Sequence, residues 1–227
     1  MSKTWHIKNY RLYETKAMKL YDYAAAPNPR RARIFINEKK LDIETVQIDL
    51  MKREQFSDNF KNISPRCTVP VLELDDGTML VDNAGIAAYL EAYQPEPALL
   101  GTSHIEKGLI ADWNARCEYE GMGAVTEAFR NSAPGFVNRS INGPVPFTQV
   151  TDLIERGKQR TFEFFETLNN RLKNRNYVAT DHFSVADITA FVVIDFAKWI
   201  EAEVPDELTH LKGWYERVND RPSVKET

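Results

Sequence analysis

Side chains suited to acid–base, redox or metal chemistry are thinly spread through this chain. Cys67 and Cys117 lie far apart, and the four histidines form no pair at metal-ligand spacing, so no metal site is implied. What the sequence does offer is anion binding at helix starts. Asp82-Asn83 stands immediately before the apolar run Ala84–Tyr93. A helix opening there would present free amides and a partial positive charge to a carboxylate. Asn28 stands before a second run, Arg30–Lys39, where it could cap the helix, and Pro29 suits a first turn that needs no amide donor. Ser184-Val185-Ala186-Asp187 is a variant capping box before Ile188–Ile200 and carries structure, not chemistry. Arg116 and Glu120, four apart, pair across a helix face.

These positions need elements to hold them. Met18–Tyr23 and Thr45–Leu50 alternate and read as strands, and Val69–Leu74 is a third, with Val69-Pro70 at its opening, where proline is tolerated. Asp75-Asp76-Gly77 signals a hairpin into Thr78–Val81. Helical patterns cover Arg30–Lys39, a short Gln55–Asn62 ended by Ser64-Pro65, and Asp82–Tyr93, capped by Asp82 or Asn83. The order is β-α-β-α-β-β-α. Pro95-Glu96-Pro97 then breaks the composition, and beyond it the strands stop. Long helical patterns follow over His104–Arg130 and Phe147–Leu172, separated by a Pro-, Gly- and Asn-rich loop at Asn131–Pro146. Ile188–Ile200 and Leu208–Val218 complete the series, with Arg221-Pro222 as a stop.

Bulk composition agrees with a globular protein. Hydrophobic residues are 43% and charged residues 27%; Lys plus Arg total 29 against 33 Asp plus Glu, for a net charge of −4. That balance does not favour a nucleic-acid backbone. No apolar run is long enough to span a membrane. Residues 1–17 lack the continuous apolar stretch of a signal peptide and read as an N-terminal extension. With two free thiols expected, the default compartment is the reducing cytoplasm.

Three segments together carry a resemblance: PNPRRARIFINEK (Pro27–Lys39), SPRCTVPVLELDDGTMLVDNAGIAAYLE (Ser64–Glu91) and FSVADITAF (Phe183–Phe191). They resemble bacterial members of the cytosolic glutathione transferase family, of the branch shared with fungal theta-like enzymes, over about residues 18 to 224. The resemblance implies an α/β plus all-α architecture, with a thioredoxin-like glutathione-binding domain over 18–94, a linker over 95–102 and a helical-bundle domain over 103–227. It implies glutathione as cosubstrate, a small apolar electrophile as second substrate, and a homodimer.

It also implies roles. Pro70 is expected to be cis, so that the main chain of Val69, with Thr68 before it, pairs with the cysteinyl part of glutathione; cis X-Pro bonds persist where a turn demands them. Asp82 and Asn83 stand where relatives have Glu-Ser and would hold the γ-glutamyl end. Gln55 would meet the glycine end, with Lys52 and Arg53 nearby. The activating group is the departure. A free thiol with a pKa near 8.5 is only about 3% thiolate at neutral pH. Lowering that pKa by about two units takes about 2.7 kcal/mol, and one charge-assisted hydrogen bond supplies roughly 1.5–3 kcal/mol. Where serine-type relatives carry their hydroxyl, this chain has Ala26, which cannot donate. Asn28, Arg130 and Tyr23 remain as candidates. Arg130 has an alternative reading as a basic residue complementing a helix C-terminus, and Tyr23 one as a core residue. Trp113, Tyr119, Phe129 and Phe136 are candidates for the second-substrate pocket, with core packing as the alternative.

The expected activity is conjugation of glutathione to electrophiles, with glutathione-dependent peroxide reduction and a non-catalytic glutathione-fold binding module as alternatives. No cysteine lies between Tyr23 and Arg30, which argues against a thiol–disulfide oxidoreductase.

Overall fold

The computed structural model describes residues 18–227; the extension expected over residues 1–17 lies outside them. The first half comprises β1 (Lys19–Asp22), α1 (Pro27–Glu38), β2 (Glu44–Gln47), α2 (Asp58–Ile63), β3 (Val71–Glu73), β4 (Met79–Leu80) and α3 (Asn83–Tyr93). The sheet order is β2-β1-β3-β4; β1 is parallel to β2 and antiparallel to β3, and β3 is antiparallel to β4. This is a thioredoxin-like mixed sheet. Leu20 faces Thr45 on one side and Leu72 on the other, and the buried side chains of α1 and α3 cover one face. Ile48, Phe60, Val69 and Val71 form a smaller cluster on α2's side.

The segment expected to be the linker is tied down by a buried lysine. Lys39 Nζ donates to the carbonyls of Pro95 (3.1 Å) and Pro97 (2.5 Å) and pairs with Glu91. Glu91 in turn accepts from the amides of Leu99 (3.2 Å) and Leu100 (3.0 Å). A desolvated ammonium is tolerable only with such a set of partners.

The second half is helical: α4 (His104–Arg116), α5 (Gly123–Ser132), α6 (Asp152–Leu172), α7 (Val185–Ala197), α8 (Thr209–Asn219) and α9 (Pro222–Lys225). A π-helical turn over Cys117–Met122 joins α4 to α5, so the pattern expected over His104–Arg130 is one helical path with an extra residue in its middle. At the α5–α6 crossing a Cβ on Gly157 would lie 2.7 Å from Ala124 O and Ala128 N, so only glycine lets the two backbones meet. Helix α7 is buried almost throughout. Asp187 at its start is fully buried and accepts from the Ser184 amide and hydroxyl (3.0 Å each), the Val178 amide (2.9 Å) and Trp214 Nε1 (3.0 Å). Burial pushes its carboxyl up to about 6 against those donors. One hydrophobic cluster runs from Leu20 and Phe35 through Ile110 and Phe165 to Phe191 and Trp214, so both halves share a core. Among the described residues no helix is long and apolar enough to cross a membrane.

Several expectations are corrected. Asn28 does not cap α1: the cap is Ala26, without a side-chain bond, and Pro27 is the first helical residue. The short helix over Gln55–Asn62 is instead a 3-10 turn (Glu54–Phe56) followed by α2, which Ser57 caps at the Phe60 amide. The expected helix over Phe147–Leu172 begins only at Asp152. Phe147 and Val150 mimic helical spacing, but the Phe147 carbonyl accepts from the Ser140 amide (3.1 Å) and the Val150 amide donates to Asn131 Oδ1 (2.8 Å). Both bonds hold this stretch out of the helix.

Candidate active-site cleft

Two helix starts converge on one cleft. The Asn83 side-chain amide, opening α3, donates to the carbonyl of Asn28 in α1 (3.2 Å). The side chain of Asp82 makes no capping bond to its own helix, so it remains available to a ligand. In α1 the first and third residues are Pro27 and Pro29, which have no amide hydrogen. Asn28 is therefore the sole residue of the opening turn that brings a backbone donor, and it adds a side-chain amide. The positive end of α1 is concentrated on it.

The loop before α1 is held from beneath. Asp22 is 1% exposed and accepts from Arg33 (2.5 Å) and from Gln47 Nε2 (2.7 Å). Gln47 Oε1 accepts from the Ala24 amide (2.9 Å), and Arg33 donates to the Ala24 carbonyl (2.8 Å). The three alanines offer no side-chain donor, but their backbone is fixed. Tyr23 packs against the cluster of Ile48, Phe60, Val69 and Val71.

The third piece is the turn before β3. Val69-Pro70 is cis. The preceding segment is anchored on buried Ser64, whose carbonyl accepts from the Cys67 amide (2.8 Å) and whose hydroxyl accepts from the Thr68 amide (3.3 Å). Gln55 is 3% exposed, and its Oε1 is buried without a hydrogen-bond partner. A buried amide oxygen in that state suits a ligand donor.

The cleft between the two halves has a volume of about 760 Å³. It brings together three of the expected residues, Asn28, Asp82 and Asn83, and leaves Tyr23, Gln55, Thr68, Val69, Pro70 and Arg130 outside its lining. Sequence reasoning missed Arg31, Arg66 and Glu118 on its polar side and Met122, Ile141, Phe147, Val150 and Leu153 on its apolar side. Of the proposed pocket aromatics none lines it: Trp113 is buried, Tyr119 is exposed, and Phe129 stacks edge-on with Phe136, Phe196 and Trp199. Arg31 was findable, since it follows Asn28 by three residues and shares its helix face. Ile141, Phe147 and Val150 of the apolar wall lie on irregular chain, where the helical spacing of Phe147 and Val150 misleads.

A chain of hydrogen bonds links the helical half to Asn28, with Glu118 accepting from both sides. The Thr189 hydroxyl donates to Asn114 Oδ1 (2.7 Å), and Asn114 Nδ2 donates to Glu118 Oε1 (3.2 Å). Glu118, on the π-helical turn, pairs with Arg31, whose Nη1 donates to Asn28 Oδ1 (3.4 Å). With its oxygen engaged, Asn28 turns its NH2 group away from Arg31. Cys117, in the same turn, is fully buried, and burial pushes its thiol well above the ordinary range, which makes it inert.

Known proteins share the sequence pattern and the fold. Residues 20–98 match the family model for the glutathione S-transferase N-terminal domain, and residues 134–222 match that for the C-terminal domain. Glutathione S-transferase 2 of Saccharomyces cerevisiae is 36% identical over 92% of this chain and 88% of its own length. A glutathione S-transferase domain-containing protein from Marinobacter aquaeolei is 36% identical and superposes with a TM-score of 0.83 over 91% of this chain and 99% of that one. A glutathione S-transferase from Methylobacillus flagellatus, solved with glutathione bound, shares the fold at 22% identity, with a TM-score of 0.78 over 92% and 98% of the two chains.

Proposed function

The chain belongs to the glutathione S-transferase family and is a glutathione transferase, and on that premise we propose that it joins the glutathione sulfur to small, mostly apolar electrophiles, with Asn28 as the group that stabilises the thiolate. The observation that carries this reading is the convergence of α1 and α3 on the cleft through the Asn83–Asn28 hydrogen bond (3.2 Å). In this reading the γ-glutamyl end lies at Asp82 and Asn83, its carboxylate toward the start of α3 and its ammonium toward Asp82. The cysteinyl part pairs with the main chain of Val69, which cis-Pro70 and the Thr68 anchor set in place. The glycine end reaches Gln55, whose unpartnered Oε1 can accept from the glycyl amide N–H, while the terminal carboxylate lies toward Lys52 and Arg53.

This arrangement leaves the sulfur near the opening turn of α1, where Ala26 offers nothing and Asn28 offers two donors. The thiol gives its proton to solvent, and the Asn28 amides and the helix start lower the energy of the anion that remains. The thiolate then attacks the electrophilic carbon. The sulfur–carbon bond forms, and the leaving group departs with its bonding pair. Holding both reactants in one cleft supplies the rest of the advantage. Arg130 gives its cation to carbonyls elsewhere, and Tyr23 packs against the small core cluster, so Asn28 is favoured over both. By resemblance to the family, the reading extends to a cytoplasmic homodimer with a role in detoxification, which sedimentation of the pure protein and fractionation of cells would check.

The test is a pH titration of bound glutathione followed by thiolate absorbance. We expect the wild-type complex to titrate well below the free thiol. Asn28→Ala should raise that pKa by about one unit, since a pKa unit corresponds to about 1.4 kcal/mol and one hydrogen bond to a charged group contributes about that much. An unshifted thiol pKa in the wild-type complex, or an Asn28→Ala complex that titrates like wild type, would remove Asn28 from this role.

A further inference from the structure

The chain between α5 and α6, residues 133–151, forms one side of the cleft as a strap. Its inner side supplies Ser140, Ile141, Asn142, Phe147, Thr148 and Val150 to the lining. Most of it is exposed and without regular structure, so its shape depends on a few side chains that bond its backbone. The centre of that set is Arg130 on α5. Its Nε donates to the Ser140 carbonyl (3.2 Å), and its Nη2 donates to the carbonyls of Arg139 and Ile141 (3.2 Å for the latter). The guanidinium lies 4.4 Å from the Phe136 ring centroid. Burial holds its pKa down at about 10, so it is still a cation at neutral pH, and no carboxylate pairs with it among the described residues. Its charge is spent on peptide oxygens of the strap.

Other bonds close the base. Ser140 Oγ donates to the carbonyls of Phe147 (3.1 Å) and Thr148 (2.8 Å), and Gln149 Nε2 donates to those of Arg130 (2.8 Å) and Ala133 (2.9 Å). At its far end the strap reaches the other half of the molecule: the Arg139 guanidinium lies 5.1 Å from the Phe56 ring centroid.

We propose that Arg130 is a positioning residue for the second substrate: by holding three consecutive strap carbonyls it fixes the apolar wall of Ile141, Phe147 and Val150, and so sets affinity for a bulky electrophile without acting on the thiol. This rests on the transferase reading. It assigns Arg130 to the electrophile side and Asn28 to the glutathione side of the same cleft. The guanidinium suits the task because its planar fork reaches several oxygens at once, which an ammonium cannot match.

The experiment compares the wild-type enzyme with Arg130→Met and Arg130→Lys, using chlorodinitrobenzene as a bulky aryl probe and iodoacetamide as a small one. KM for each probe, KM for glutathione and the pKa of the bound thiol are measured together. We expect KM for chlorodinitrobenzene to rise about tenfold in Arg130→Met, the loss of about one charged hydrogen bond's worth of order, and by a smaller factor in Arg130→Lys. KM for iodoacetamide, KM for glutathione and the thiol pKa should stay near wild type. Faster proteolytic cleavage within residues 139–150 of Arg130→Met should accompany the change, which keeps the test informative where activity is low. A raised thiol pKa with unchanged KM for the aryl probe would overturn the proposal and return Arg130 to the thiolate. Unchanged KM for both probes with unchanged cleavage would overturn it equally. Should the wild-type enzyme conjugate neither probe while still binding glutathione, the electrophile reading itself would fail, an outcome distinct from either of these.

Discussion

The two walls of the cleft are built on opposite plans. On the side proposed for glutathione, Asn28, Asp82 and Asn83 sit at the starts of regular helices, and the loop before α1 is pinned to buried Asp22 through half-buried Arg33 and exposed Gln47. On the side proposed for the electrophile, Ile141, Phe147 and Val150 sit on a strap with little regular structure, held through its backbone by Arg130 and Asn131 and through the Gln149 side chain at the end of α5. The first plan stores its precision in desolvated charge, where losing one partner is costly. The second rests on one half-buried cation, Arg130, bonded to neutral carbonyls of exposed chain, which water can satisfy when the side chain is lost. One wall is therefore brittle and suits a single unchanging ligand. The other can be altered residue by residue without endangering the fold.

The sharpest way to break this contrast is to attack the brittle wall. Arg33→Met removes a donor that lies 2.5 Å from an almost fully buried carboxylate. We expect unfolding free energy to fall by about 3 kcal/mol, the usual cost of leaving a buried charge without its ionic partner, with weaker glutathione binding from the loosened Ala24 loop. Thermal and denaturant melts read the first effect and calorimetric titration the second. A loss under about 1 kcal/mol, the level of an exposed ion pair, would mean that the loop stands without its underpinning.

The same contrast explains what could be read from the chain alone. The elements of the wall proposed for glutathione could be read because they have local signatures: an apolar run after Asp82-Asn83, prolines at the opening of α1, and Val69-Pro70 before a strand. The S-V-A-D box likewise marked the start of α7. Even there the role of Asn28 was misread as a cap, because Pro27, not Asn28, opens the helix. The electrophile wall had no such signature. Phe147, Val150, Leu153 and Ile154 keep a spacing that suits a helix, and only long-range bonds to Ser140 and Asn131 decide against it for the first two. The charge of Arg130 gave no hint that its partners would be carbonyls nine to eleven residues further on.

A smaller effect tests whether the regular wall serves the ligand as well as the fold. Asn83→Ala removes the amide that links α3 to the Asn28 carbonyl. Glutathione affinity should fall about tenfold or somewhat more, as expected for a lost hydrogen bond to a charged group. KM for chlorodinitrobenzene should be unchanged, and melting should shift little, since Asn83 is a first-turn residue and the cap is Asp82. A large drop in melting temperature with intact glutathione affinity would instead make Asn83 a structural link between two helices.

The smallest expected effect belongs to the strap. Gln149 holds two carbonyls at its base, those of Arg130 and Ala133, at 2.8 and 2.9 Å. Both belong to the C-terminal turn of α5, where helices leave carbonyls without internal partners. In Gln149→Ala water can take over both, so stability should fall by less than about 1 kcal/mol. Strap order should suffer more than global stability, because the two bonds that tied Gln149 to the end of α5 are gone while the core beneath is untouched. KM for the aryl probe should then rise about two- to threefold, a fraction of the change in Arg130→Met, with the thiol pKa and glutathione KM fixed. Steady-state kinetics with both probes, set beside a thermal melt, resolves the two readouts. If Gln149→Ala lowers melting as much as Arg33→Met does, the strap is part of the fold's foundation, and the division of the cleft into a brittle wall and an adjustable one does not hold.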